Sequence, residues 1–458
     1  MGKRETMGFP GGIHPADGAD KALTMEKPVR TYLPRTVTIL SEQSPGGTCA
    51  FTVKPKDRVE EGSLIGEPKA FLAAPLHASV SGVVKEIREV TDRGRSILSC
   101  VIERDREPKT EQQAYETEAA DLSGITREDI VRGLQQGGLT GMGGAGFPTS
   151  KKYETEKSID TLLINGAECE PYLTCDYRLM LEKTWGVVNG ARLLLKASKA
   201  SKAYICLEDN KMQAAEKLNA AIQEIQEKGI SQREPVEVCV LPARYPQGGE
   251  RQLIQSVLQR EVPAGGLPSD VGVIVSNAAT AKAAADQILG GQPLTKRIVT
   301  VTGCVKEPGN YLVPIGTSAG ELLHLCGGVT EKESRILAGG PMTGICAASC
   351  WDGESDLFYI TKSTSGILVL PNRGWQEQPC IRCGGCQRVC PAGLVPWQID
   401  FAFLEEDYDL CESLFASECI ACGCCSYICP AKRELTLRNR LARDLVKQRR
   451  RERAVKQS

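Results

Sequence analysis

Two cysteine runs of identical spacing constrain this chain more than any other feature. The first is Cys380-x-x-Cys383-x-x-Cys386-x-x-x-Cys390-Pro391, and the second is Cys419-x-x-Cys422-x-x-Cys425-x-x-x-Cys429-Pro430. A cubane iron–sulfur cluster needs four thiolates converging from different directions. Two-residue gaps wrap backbone round three corners, and the fourth cysteine of such a run ligates the other cluster of a pair. The spacing therefore places Cys380, Cys383, Cys386 and Cys429 on one [4Fe–4S] cluster, and Cys419, Cys422, Cys425 and Cys390 on a second. Gly384, Gly385 and Gly423 permit close approach of backbone, and Pro391 and Pro430 turn the chain away without a competing N–H. Structural zinc sites would instead use two cysteine pairs well apart in sequence. Cys424 is an extra cysteine beside Cys425, but only Cys425 preserves the spacing, and Cys411 lies outside it.

Most of the other cysteines among the 20 are scattered singly and read as small buried hydrophobes. Cysteine used in this way implies metal and not disulfides. No apolar run approaches the ~20 residues needed to span a bilayer, and the start, MGKRETMGFPGGIHP, lacks the apolar core of a secretory signal. The chain is expected in the cytosol or at its margin. Its net charge of −1 conceals an asymmetry: residues 432–458 carry 11 Lys/Arg against 3 Asp/Glu, leaving about −9 on the rest. Such a tail suits an anionic lipid surface or an acidic partner. Nothing else resembles a nucleic-acid-binding module, so no nucleic-acid partner is expected.

With 458 residues the chain should form roughly three to four domains. Thr36–Leu40, Ala50–Val53, Ser79–Ile87 and Ile97–Glu103 read as strands separated by Pro and Gly. The stretch from Val53 to Ile87 resembles the biotinyl/lipoyl type of small barrel, with no lysine at a tight hairpin tip, and is expected to be a scaffold. Arg104–Ser123 reads as a polar linker. Beyond it, strand candidates Thr161–Ile164, Lys202–Leu207, Val236–Leu241 and Val271–Val275 alternate with helical stretches near Asp176–Ser198, Lys211–Lys228, Glu250–Arg260 and Ala279–Leu289. That alternation predicts a mainly parallel sheet covered on both faces. Arg297–Gly303 and Gly309–Gly328 resemble a soluble-ligand-binding β-grasp unit. His14, His77 and His324 have no second ligand at useful spacing and are expected to pack or cap locally.

Residues 141–146, GMGGAG, satisfy G-x-G-x-x-G, but they follow a helical or irregular stretch and not a strand, so the motif alone is weak. Four segments taken in order say more: GMGGAGFPTSKKY (141–153), LINGAECEPYLTCDYR (163–178), YPQGGERQLI (245–254) and SNAAT (276–280). Together they resemble the flavin- and NADH-binding subunit of respiratory complex I. The resemblance implies Gly141, Gly143, Gly144 and Lys152 against FMN, with Asn165, Asn277 and Thr280 closing round it. It also implies that Phe147 stacks on nicotinamide and that Glu168 and Glu170 are acidic residues of the nucleotide pocket. Taken singly, the two acids could equally belong to a solvated loop and Phe147 to a core. Ala167 and Gly249 stand where that family has acidic residues, and Ser276 where it has asparagine.

With GGIHP near the start, APLHASVSG in the barrel, the β-grasp insert and both cysteine runs, the whole chain from about 8 to 435 resembles the C subunits of Rnf complexes. These complexes are membrane-bound ferredoxin:NAD oxidoreductases that translocate Na⁺ or H⁺. The resemblance implies a barrel-sandwich hybrid domain (1–105), a Rossmann-like FMN/NADH-binding α/β domain (120–295), and a β-grasp domain with connecting segment (296–375). A bacterial-type two-cluster ferredoxin domain (376–435) and a basic tail (436–458) follow. It further implies a translocase-class oxidoreductase subunit that is peripheral on the cytoplasmic side of the membrane. NADH, the other Rnf subunits and, indirectly, ferredoxin would be its partners. Two other readings fit parts of the pattern: a cluster-bearing carrier or scaffold without a working nucleotide site, and a flavin/iron–sulfur cobalamin reductase.

Overall fold

A computed structural model describes residues 8–15, 21–43, 46–106, 118–144, 146–230, 234–374 and 376–457. Most of the polar 104–123 stretch lies outside the described residues. Two compact units emerge. One comprises Met1–Gly18, Leu241–Val271 and Arg373–Ser458, and the other Ala19–Val240 and Gly272–Asn372. Among the described residues no helix is long and apolar enough to cross a membrane.

The larger unit contains three layered parts. In the first, strands Thr36–Leu40, Arg95–Arg104, Gly82–Asp92 and Arg58–Val59 form an antiparallel sheet, beside a second sheet of Cys49–Phe51, Leu64–Pro68 and Leu76–His77. Period-two alternation sends Val37, Ile39, Val84, Cys100 and Ile102 inward, where they join Ile65 and Leu76 in one core. The long hairpin turns at Arg93 and Gly94, both at positive φ (47° and 77°), as a two-residue turn matched to strand twist requires. Lys56 does occupy a tight turn, at φ 78°, but that turn joins strands of different sheets and is no hairpin tip.

The second part is the α/β domain. Its sheet runs Val236–Leu241, Lys202–Glu208, Thr161–Asn165, Val273–Asn277, and the inner pairings are parallel. Apolar runs such as Leu162–Leu163–Ile164 are fully buried because helices shield the strands. The helical stretch expected over Asp176–Ser198 is two helices, Cys175–Glu182 and Thr184–Ser198, broken at Lys183. Thr184–Ser198 crosses Ala278–Gly290 at Gly190, where an added Cβ would stand 1.8 Å from the Ala281 carbonyl oxygen. Only glycine allows that crossing.

The third part is a six-stranded mixed sheet ordered Val29–Thr31, Gly309–Pro314, Lys296–Gly303, Gly366–Pro371, Ser334–Ala338, Ile345–Ala348. Its core of Val299, Val301, Tyr311, Ile336, Ile367 and Val369 packs on helix Ala319–Leu325 through Leu322 and Leu323. The edge strand Val29–Thr31 comes from far upstream and pairs in parallel with Gly309–Pro314.

In the smaller unit, helices Pro396–Leu404, Tyr408–Ser413 and Leu435–Gln457 pack round Leu394, Ile399, Ala402, Cys411, Ala416, Ala442 and Val446. Asp400, fully buried, accepts from Arg433 (Nε, 2.8 Å) and Arg438 (Nη1, 3.0 Å), and Arg438 also pairs with Glu377 at 2.6 Å. The basic terminal helix spends part of its charge internally. Arg449 and Arg453 pair with Asp409 (both 3.1 Å), and Arg450 with Glu412 (2.7 Å). The segment 241–271, placed by sequence inside the α/β domain, groups with this cysteine-bearing unit.

Candidate functional site

The two cysteine runs fold alike. Arg382 and Ala421 each adopt φ 53°, followed by left-handed Gly384 (70°) and Gly423 (88°), which open the short helices Gly385–Arg388 and Cys424–Ile428. This curl aims amides at sulfur: Arg382 N–H donates to Cys380 Sγ and Ala421 N–H to Cys419 Sγ, both at 3.4 Å. Cys380, Cys383, Cys386 and Cys429 line one hollow. Cys390, Cys419, Cys422 and Cys425 line another. Each hollow thus draws three cysteines from one run and one from the other. Four convergent sulfurs with N–H donors turned towards them are the donor set a cubane cluster requires. Cys424 is buried and also lines the second hollow, whereas Cys411 packs in the helical core.

Two stretches that carry no cluster motif hold the loops of this module. Gly12 N–H donates to the Val389 carbonyl (2.8 Å), Ile13 pairs with Tyr245, and the Tyr245 hydroxyl donates to the Cys422 carbonyl at 2.6 Å. At Gly11 an added Cβ would meet the Cys390 backbone at 2.7 Å. The GGIHP stretch is therefore a buttress for the second cysteine group. Its glycine pair was the available signal, but nothing local in sequence says what it packs against.

In the α/β domain the strand order places the first strand, Thr161–Asn165, between Lys202–Glu208 on one side and Val273–Asn277 on the other. The strand order reverses there, and in such sheets the carboxyl ends of the strands at that point are the usual ligand position. Asn165 and Asn277 face each other across that point as register partners. Asn277 caps helix Ala278–Gly290, its Oδ1 accepting from Ala279 N–H (2.9 Å) and Thr280 N–H (3.3 Å), while its Nδ2 donates to Asp176 Oδ2 at 2.6 Å. The glycine loop leans over this cap. Met142 N–H donates to Thr280 Oγ1 (3.0 Å), and a Cβ on Gly143 would lie 3.4 Å from Asn277 Cβ. Gly144 stands at φ 120° with open space where a side chain would be. Bare backbone facing open space beside two amide side chains fits a flat, polar-edged ring system such as a flavin.

Comparison with known proteins agrees part by part. Residues 134–286 match the Nuo51 FMN-binding domain family, 7–107 the RnfC barrel sandwich hybrid domain, 298–345 the SLBB domain and 375–430 a 4Fe-4S dicluster domain. The chain is 38% identical over 457 residues to the C subunit of the Na(+)-translocating ferredoxin:NAD(+) oxidoreductase complex of Acetobacterium woodii, covering 96% of this chain and 98% of that one. It is also 38% identical over 404 residues to the C subunit of the proton-translocating ferredoxin:NAD(+) oxidoreductase complex of Clostridium ljungdahlii, covering 85% and 82%. The chain belongs to the RnfC family. In fold it is similar to a chain of an NAD+-reducing [NiFe]-hydrogenase, with TM-score 0.52 and 20% identity over 70% of this chain and 61% of that one.

In this RnfC chain the other residues expected at the nucleotide site take specific places. Phe147 is half-buried at the end of the glycine loop, and its carbonyl accepts from Gly141 N–H at 2.8 Å. The Lys152 ammonium donates to the Val275 carbonyl at 2.9 Å, which ties the short helix Thr149–Tyr153 to the sheet. Glu168, at φ 45°, turns its carboxylate back on the helix Cys175–Glu182 and accepts from Asp176 N–H (2.7 Å) and Tyr177 N–H (3.1 Å). Glu170 points elsewhere: its carboxylate accepts from Met342 N–H (3.2 Å), Thr343 N–H (2.9 Å) and the Thr343 hydroxyl of the β-grasp sheet. Asn165, Asn277, Thr280 and the glycine loop come together, whereas Glu170 leaves the group.

Lys21, which no motif flagged, holds this acidic loop in shape. Its ammonium donates to the carbonyls of Glu168 (2.8 Å), Glu170 (2.9 Å) and Leu173. Burial lowers the Lys21 pKa, with Glu168 opposing the shift. Burial also raises Glu168 to about 7, against the pull of Lys21, and raises Asp176 in the same way.

Proposed function

We propose that this chain is the NAD(H)-facing electron-transfer subunit of a membrane-bound, ion-translocating ferredoxin:NAD oxidoreductase. It would sit peripherally on the cytoplasmic side, with Na⁺ or H⁺ translocation assigned to other subunits of the complex and ferredoxin reached through them. One juxtaposition supports the reading most: register-paired Asn165 and Asn277 beneath a bare glycine loop, in a chain that also carries two four-cysteine hollows.

In this reading Cys380, Cys383, Cys386 and Cys429 hold one [4Fe–4S] cluster and Cys390, Cys419, Cys422 and Cys425 the other. Gly141, Gly143 and Gly144 lie against FMN, with Asn165, Asn277 and Thr280 at its polar edge. Bound FMN supplies chemistry that exchanges either one or two electrons, which nicotinamide alone does not. The chain's own residues do the rest. The Asn277 cap fixes the loop that receives the ring, and Phe147 presents an aromatic face to nicotinamide. Lys21 and Glu168 keep the 168–174 turn from collapsing onto the strand ends. At the cysteines, amide donors such as Arg382 N–H and Ala421 N–H stabilise charge on sulfur and so tune potential.

Anaerobic reconstitution with iron and sulfide, then FMN, followed by NADH titration, tests this. The expected result is about eight irons per chain and a flavin band that NADH bleaches. Fewer than about seven irons would remove the two-cluster assignment. A flavin band that NADH leaves untouched would leave only a cluster-bearing carrier.

A further inference from the structure

The two cysteine runs curl alike and give their first cysteine the same amide donor at 3.4 Å. They differ at one position inside the curl: the first run has Gly385 where the second has Cys424. Both residues open the short helix that carries the third cysteine, Gly385–Arg388 in one run and Cys424–Ile428 in the other. A Cβ added to Gly385 would stand 3.6 Å from Cys383 Sγ, an ordinary contact distance. A side chain at this position is therefore aimed at the second cysteine of its run. Cys424 follows that geometry: it is fully buried, it lines the hollow of Cys390, Cys419, Cys422 and Cys425, and its thiol is paired with the Cys422 sulfur.

Cys383 and Cys422 hold equivalent places in their runs but not equivalent surroundings. Cys383 is exposed, so water can donate to its sulfur, whereas Cys422 is half-buried and the Tyr245 hydroxyl covers its carbonyl. Cover of this kind removes donors that offset the negative charge of an iron-bound thiolate, and so lowers the potential. A buried S–H beside Cys422 puts one donor back. The thiol is a weak donor, but a bond to an ionised acceptor away from water is stronger than its neutral counterpart in solution. A reduced [4Fe–4S] cluster carries one more negative charge than the oxidised one, so the donor favours the reduced form.

We propose that Cys424 serves the second cluster as the S–H donor to Cys422 and not as a ligand, and that it holds that cluster's potential up where cover would depress it. The proposal rests on the reading of the two hollows as [4Fe–4S] sites. Cys424 acts through Cys422, so its effect falls on potential and not on cluster retention. Gly385 supplies no such donor and leaves the first cluster to water.

Dye-mediated redox titration of the anaerobically reconstituted full chain, followed by EPR, tests the proposal. Cys424→Ala should keep about eight irons and lower one of the two midpoint potentials, leaving the other in place. The expected shift is about tenfold in the reduction equilibrium, or about 59 mV for one electron. Cys424→Ser, whose hydroxyl also donates, should restore most of it. Gly385→Cys, which the 3.6 Å spacing and a φ that is not positive accommodate, should raise the other midpoint. Fewer than about seven irons in Cys424→Ala would make Cys424 a ligand and overturn the proposal. Unmoved midpoints in Cys424→Ala or in Gly385→Cys overturn it too, as does a serine variant that falls as far as alanine. A wild type with fewer than about seven irons defeats the cluster reading itself, whereas about eight irons with unmoved midpoints defeats only the role of Cys424.

Discussion

Replacing Glu168 by Gln should change the stability of this protein with a sign that depends on pH. The carboxyl is enclosed by the turn it caps, and burial pushes its pKa up to about 7 from an ordinary 4.5. Because the folded value lies above the unfolded one, the folded state binds more protons between these limits. Stability from this group is therefore present below about pH 4.5 and is lost as pH rises through 7. Each pKa unit is 1.36 kcal/mol, so the full loss is about 3 kcal/mol. Glutamine stays neutral throughout but serves the two amides of Asp176 and Tyr177 with one acceptor oxygen, a cost of about 1 kcal/mol. Relative to wild type, Glu168→Gln should then be slightly destabilised at pH 5 and stabilised by about 2 kcal/mol at pH 8. Loss of the counter-charge at Lys21 will trim that gain. Thermal unfolding of both proteins, followed without oxygen from pH 5 to pH 8, should show the difference in Tm change sign. About 2–4 °C accompanies each kcal/mol in a domain of 150–250 residues. A difference that stays flat, or falls as pH rises, would refute the account of Glu168 as a buried, proton-binding cap.

Crossed sharing of the cysteines makes a paired prediction. Cys429→Ala should abolish the EPR signal of the cluster on Cys380, Cys383 and Cys386, and Cys390→Ala that of the other, each leaving about four irons per chain. Loss of the same cluster in both variants would overturn the pairing. Asp400→Ala strands the buried guanidinium of Arg433 and should destabilise the smaller unit by about 3–5 kcal/mol in anaerobic denaturant unfolding. A change below about 1 kcal/mol would mean that the network is solvated. Gly190→Val forces a side chain onto the Ala281 carbonyl oxygen and should cost at least about 1–3 kcal/mol in thermal unfolding, against no comparable loss for Gly124→Val, where nothing lies within 4 Å and φ is not positive.

What the linear chain determined was whatever repeats locally. The two cysteine runs announced their clusters because three of four ligands lie within seven residues, and the backbone curl that aims amides at Cys380 and Cys419 is coded by the adjacent Gly384 and Gly423. Strands such as Thr36–Leu40 and Val236–Leu241 were legible in full from their apolar β-branched runs. Tertiary structure decided everything that joins distant segments. Lys183 breaks a pattern that reads as one helix, its backbone leaving the helical region at φ −130° and ψ 41°. Glu168 and Glu170 look equivalent in sequence, yet one caps the helix that follows it while the other is drawn to the Met342–Thr343 amides. Lys21 belongs to no motif, and Gly11, Gly12 and Tyr245, though they lie in the GGIHP and YPQGGERQLI segments, do not show there what they pack against, since a buried ammonium or a glycine under a loop acquires meaning only from the groups it meets. The register of Asn165 against Asn277 is of the same kind: more than a hundred residues separate them, and only the order of strands in the sheet sets them side by side.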